Sequence, residues 1–182
     1  FGATRTSLIV FSGRAPKFTS LLTNSSTKLT KALALGLGLT IEEAEKIKIS
    51  YGLGTKTKVK FQRRLHDHTF EKEVLEDTKV YDVLGQELNG LVVEIKNFLD
   101  FYSTHTNHKN LPAAEREVKQ ILLSGGGANL IGLDGFLAKK LGVAVARGNP
   151  WVNIMAEPEK RVNEIYLSRA LSFTDALGLA LR

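Results

Sequence analysis

The chain has 182 residues, 43% of them hydrophobic and 24% charged, which is apolar enough to pack one large domain or two small ones. It has no cysteine, so disulfides and thiolate metal sites are excluded and a reducing compartment fits. A net charge of +6 is compatible with an acidic partner, while no apolar run approaches the ~18 residues that span a bilayer and no secretion leader opens the chain.

Phe1 rather than Met stands first and runs straight into a motif, which reads as a segment cut from a longer protein. Thr6 to Phe11 is short and β-rich. A turn at Ser12-Gly13-Arg14-Ala15-Pro16 lets Lys17 to Leu22 pair back as a hairpin. Asn24 to Thr27 is polar and caps a helix through Leu29 to Leu37, broken around Gly36 and Gly38. Thr40 and Glu43 form a capping box for a second helix. In it Ile41, Ala44, Ile47 and Tyr51 keep helical spacing, and Gly52 ends the run.

Residues 53–81 pass from basic to acidic and hold one or two short strands. A strand here sets Lys56, Lys58 and Lys60 on one side. The simpler reading is a solvated edge guarded by lysine, and the alternative is a face for an acidic partner or a membrane surface. From Tyr81 to about Tyr102 runs the longest helical pattern, with a stripe of Val83, Leu84, Leu88, Leu91, Val92, Ile95, Phe98 and Leu99 for core or interdomain packing. Thr104 to Pro112 is a loop.

Val118 to Leu123 reads as a buried strand and Leu133 to Leu141 as a helix ended by Gly142. Val143 to Val145 is a short strand, Gly148-Asn149-Pro150 a turn anchored by Trp151, and Phe173 to Leu181 a last helix. The α and β signals alternate, which predicts an α/β fold.

Between the strand and helix of this last region stand Gly125, Gly126 and Gly127. Without β-carbons such a turn lets a ligand approach the backbone, and a helix start behind it offers N–H groups and positive dipole to a phosphate compound. Asn129 reads as the cap of the following helix rather than a ligand contact. His66, His68, His105 and His108 have no third ligand placed beside them, so they read as exposed histidines rather than a metal site. No catalytic residue is assigned.

The Gly125 to Leu133 pattern resembles the adenosine loop of the actin-like ATPase superfamily. The helix Glu42 to Tyr51 resembles the one that flanks the nucleotide base and ribose, with Glu45 and Lys48 in the contacting positions. Gly2-Ala3-Thr4-Arg5-Thr6 resembles the second phosphate loop. Within the superfamily the chain is most similar to the PilM family of type IV pilus assembly ATPases, with FtsA-like cell-division proteins as the second reading. A scaffold of the same fold that binds no nucleotide is the third. The resemblance implies the C-terminal half of an actin-like (ribonuclease H-like) fold. A platform of residues 1–27 and 113–182 then carries an inserted α+β subdomain, residues 28–112. It implies ATP and Mg²⁺ as cofactors, bound through Gly2, Ala3, Thr4, Thr6, Glu45, Lys48, Gly125, Gly126 and Gly127, and at most slow hydrolysis in the full protein. It further implies a place on the cytoplasmic face of the inner membrane and self-association. By the same resemblance a PilN-like tail is expected to dock on the half that this chain lacks, with no nucleic acid involved.

Overall fold

The computed structural model describes residues 1–13, 15–54, 58–64, 70–105, 117–152, 154, 155, 162, 163, 166 and 169–181. Strands β1 (Thr6–Ser12) and β2 (Ala15–Leu22) pair antiparallel through a turn containing Gly13. The register slips between Val10 and Phe11, where Pro16, which has no N–H to give, enters the ladder opposite Phe11. Alternate residues of β1 turn inward, with Thr6 and Val10 buried, while Ile9 and Phe11 stay exposed.

Helix α1 (Ser26–Leu37) is capped by the Ser25 hydroxyl, which accepts from Lys28 N–H, and stops at Gly38 in the left-handed conformation. Helix α2 (Ile41–Tyr51) carries the expected capping box, with Thr40 and Glu43 bonding reciprocally. Gly52, at φ +52°, ends it.

The ambiguous stretch is a hairpin of β3 (Lys58–Arg64) and β4 (Phe70–Glu76). Its register sets Lys58 opposite Glu76 and Arg63 opposite Glu71. Lys56, His66, His68 and His108 lie outside the described residues. Helix α3 (Asp77–His105) starts before Tyr81, directly after β4, and outlasts Tyr102.

Strands β5 (Gln120–Leu123) and β6 (Ala144–Arg147) are parallel, which demands a crossover. A 3₁₀ turn (Gly126–Asn129) and helix α4 (Leu133–Leu141) provide it. The expected final helix opens as a 3₁₀ turn (Ala170–Phe173) and becomes α5 (Thr174–Ala180).

One core joins the helices. Leu29 and Leu33 of α1, Ala44 and Ile47 of α2, Val80, Leu84 and Leu88 of α3, and Leu133 and Leu137 of α4 are each at most 1% exposed. The hairpin β1–β2 lies along α3: the Phe18 ring sits tilted at 5.7 Å from Phe98 and 5.8 Å from Phe101, and Glu94 accepts from Thr23.

Candidate functional site

Three stretches far apart in sequence meet beside this core. In the segment before β1, Gly2 N–H donates to the Arg5 carbonyl (2.9 Å), closing a turn so tight that a β-carbon on Gly2 would lie 2.8 Å from that oxygen. Ser26 and Thr27, opening α1, donate their N–H groups to the carbonyls of Gly2 (3.0 Å) and Ala3 (2.9 Å). The start of α1 thus spends donors on this turn that a bare helix end leaves free. Thr4 is exposed. Thr6 is buried and gives its hydroxyl to the Asn24 carbonyl (2.6 Å).

The glycine turn is tied to the same segment. Gly127 N–H donates to the Phe1 carbonyl (2.9 Å). A β-carbon on Gly125, at φ +88°, would meet that carbonyl oxygen at 2.7 Å, and one on Gly127 would meet the Phe1 ring at 2.6 Å. Both glycines are therefore required by packing alone. Gly126 is different, since the nearest atom to its β-carbon would be Ser172 Oγ at 3.2 Å, the end of a short rotatable side chain.

Gly125, Gly127 and Ala128 give their N–H groups to Leu171, Phe1 and Gly125, which leaves Gly126 N–H without an acceptor among the described residues. Within the glycine turn itself the free donors reduce to this one, because the turn is 3₁₀ and cross-linked. The helix that follows is capped by Gly132, at φ +78° and with no side-chain bond. Asn129 therefore does not cap α4, contrary to expectation; it ends the 3₁₀ turn.

Helix α2 supplies the third part. The capping box fixes its start, and its apolar stripe of Ala44 and Ile47 turns Lys48 toward α1. Lys48 is 6% exposed and donates to Glu45 Oε2 (2.7 Å), Ser26 Oγ (2.7 Å), Thr30 Oγ1 (2.9 Å) and the Ser26 carbonyl (3.2 Å). Thr30 also donates to Glu45 Oε2 (2.5 Å). Burial alone would push the Glu45 carboxyl up; hydrogen bonds from Lys48 and Thr30, with the Lys48 charge, outweigh it and hold the carboxyl below its ordinary value. At the other end of the helix Leu53 N–H donates to the Ile131 carbonyl (2.8 Å), and a β-carbon on Gly52 would fall 2.7 Å from that oxygen.

Together these parts form a cleft of about 290 Å³ lined by Ala3, Ser26, Leu29, Glu45, Lys48, Ile49, Gly126, Gly127, Asn129 and Leu130. Of the expected site residues, Ala3, Glu45, Lys48, Gly126 and Gly127 line it. Gly2, Thr4, Thr6 and Gly125 do not, and Gly2 and Gly125 brace it from behind. The sequence reading missed Ser26, Leu29, Ile49, Leu130 and the lining role of Asn129. Ile49 offered a signal: it falls off the stripe of Ala44, Ile47 and Tyr51, and it is 64% exposed. The walls combine aliphatic surface with a carboxylate, an amide side chain and a free N–H, a chemistry suited to an apolar ring that carries polar substituents.

The family model described as "Cell division protein FtsA" matches residues 1–171. The chain belongs to the FtsA family. Among solved structures, the PilM–PilN type IV pilus biogenesis complex is similar at a TM-score of 0.72 and 27% identity, over 100% of this chain and 43% of its counterpart. MreB 5 of Spiroplasma citri bound to AMPPNP gives 0.70 at 11% identity, over 99% of this chain and 50% of that one. The ethanolamine utilization protein EutJ of Carboxydothermus hydrogenoformans gives 0.58 at 17%, over 99% and 46%. The last two share the fold alone. The FtsA-family chain thus has the expected α/β fold of actin-like ATPases, and it spans about half the length of the structures it resembles. Among curated proteins none matches the sequence. No helix among the described residues is long and apolar enough to cross a membrane.

Proposed function

We propose that this FtsA-family chain holds the adenosine side of an ATP site in an actin-like scaffold for type IV pilus or related secretion machinery. The observation that carries this reading is the meeting of Ala3, Glu45 and Gly126, from three separate motifs, on one cleft. Ile49 and Leu130, backed by the fully buried Leu29, offer the apolar contact an adenine ring needs, Glu45 an acceptor for ribose hydroxyls, and Gly126 a donor for a polar edge or phosphate. The cleft sits at the small end of ligand cavities, roughly 300 Å³ and upward, which suits the nucleoside part and leaves the phosphates to reach beyond it. Mg²⁺ enters with those phosphates: among the described residues no cluster of metal-ligating side chains occurs, and Glu45 is the one carboxylate lining the cleft.

In this reading residues 1–27 and 113–182 are the platform and 28–112 the inserted subdomain. Nucleotide then ties this half to a second one and sets the geometry that partners see. The PilM–PilN likeness supports a PilN-like tail docking on that second half, at the cytoplasmic face of the inner membrane, and self-association belongs to the same proposal. The family match supports a second reading, a cell-division homologue with the same cleft.

Calorimetric titration of Mg·ATP tests the common element. We expect saturable binding, abolished by Gly126→Val, which adds a branched side chain to the lining at a position where the β-carbon meets only the Ser172 side chain. No binding by the folded full-length protein, with both halves present, refutes the site and makes the chain a protein-interaction scaffold. Equal affinity in a folded Gly126→Val variant removes the Gly126 contact.

A further inference from the structure

Glu45 and Lys48 were expected to touch the ligand as a pair, yet their positions differ. The Lys48 ammonium has three N–H groups and faces four acceptors within 3.2 Å, all internal. Its donors are consumed before any ligand arrives. The Glu45 side chain is 44% exposed, and both hydrogen bonds it accepts, from Lys48 and from Thr30, end on Oε2. Oε1 is the carboxylate atom left for the cleft.

Thr30 is 2% exposed and is not part of the lining. Its oxygen accepts from Lys48, and its single proton has two acceptors in reach, Glu45 Oε2 at 2.5 Å and the Ser26 carbonyl at 3.1 Å. The charged acceptor at the shorter distance takes it. Two donors from two helices thus pin one oxygen of Glu45 and fix which way the other points.

Resting on the nucleotide reading above, we infer that Thr30 is a positioning residue. It holds the Glu45 carboxylate against Lys48 so that Oε1 selects ligands by a hydroxyl donor, while Lys48 serves as an internal counter-ion and not as an anchor for ligand charge. The sugar hydroxyls of a ribonucleotide are the chemistry that such an acceptor reads.

The test is calorimetry with ATP and its 2′-deoxy and 3′-deoxy analogues on the full-length protein that carries this chain, as wild type, Thr30→Val and Thr30→Ser. Thr30→Val is compatible with folding, because three acceptors remain for the three ammonium donors. The wild type should prefer ATP to at least one analogue by roughly tenfold, the scale of a hydrogen bond to a charged group. Thr30→Val should lose most of that preference by weakening ATP while leaving the analogue unchanged, and Thr30→Ser should keep it. A Thr30→Val variant that weakens ATP and both analogues alike, or keeps the full preference, overturns the inference and leaves the nucleotide site standing. A wild type that binds ATP and both analogues equally also overturns it. A wild type that binds no nucleotide overturns the proposed function and this inference together.

Discussion

Replacing Lys48 with Met probes the joint between α1 and α2 at its centre. Methionine keeps an unbranched apolar stem in the same space and deletes the ammonium alone. Four acceptors at 2.7–3.2 Å lose their shared cation, which can satisfy three of them at once. Breaking a fully buried ion pair costs about 3–5 kcal/mol. Here Glu45 is 44% exposed and recovers part of the loss from water, so the expected cost is about 2–4 kcal/mol. At ~2–4 °C per kcal/mol for a chain of this size, Tm should fall by roughly 5–15 °C in thermal unfolding at neutral pH. The acid limb adds a sign. Glu45 has a folded pKa held below 4.5, so its contribution is complete above that value and fades as pH falls through the lowered one. The Tm gap between wild type and Lys48→Met should therefore shrink below about pH 4.5. A gap under ~1 °C at neutral pH, or one that widens in acid, refutes the claim that this network holds the two helices together.

The glycine turn should separate into packing and lining positions. Gly125→Ala forces a side chain into positive φ and onto the Phe1 carbonyl, costing about 2–4 kcal/mol in chemical denaturation, whereas Gly126→Ala should stay within about 1 kcal/mol of wild type. Leu88→Ala empties a fully enclosed position on α3 and should cost about 2–5 kcal/mol by the same measurement. Thr40→Ala removes one side of the capping box and should cost about 1 kcal/mol, lowering helicity locally in hydrogen exchange across α2.

Features with local causes were legible in the chain. Thr40 with Glu43 announces the start of α2, and Gly38, Gly52 and Gly142 mark helix ends, because capping is decided within a few residues. The bounds of α4 and the β1–β2 hairpin followed for the same reason. The β3–β4 hairpin was ambiguous because the alternation that β3 keeps over residues 58–62 fails in β4, where charged residues crowd positions 71–73. At the site, the Glu45–Lys48 pair is visible as a three-residue spacing on one helix. Its other two partners, Ser26 and Thr30, come from a helix 15 to 22 residues earlier, and no spacing rule announces them. Asn129 was misread because a polar residue before a helix usually caps it; here the left-handed Gly132 takes that position instead. The glycines were read as room for a ligand, and two of the three turned out to be room for Phe1.

The contact between Gly52 and Ile131 sets a gauge. A β-carbon on Gly52 would fall 2.7 Å from the Ile131 carbonyl oxygen, so no side chain fits between α2 and the segment that follows the glycine turn. Every substitution at Gly52 can spread the two walls and none can draw them together. Gly52 and Ile131 do not line the cleft themselves, but Ile49 and Leu130, three residues and one residue away in the chain, do, so a change of spacing here acts on its width in one direction. A descendant protein could admit a bulkier guest through a single change there, whereas gripping a slimmer one would require filling the opening from within, at Ala3 or Ile49.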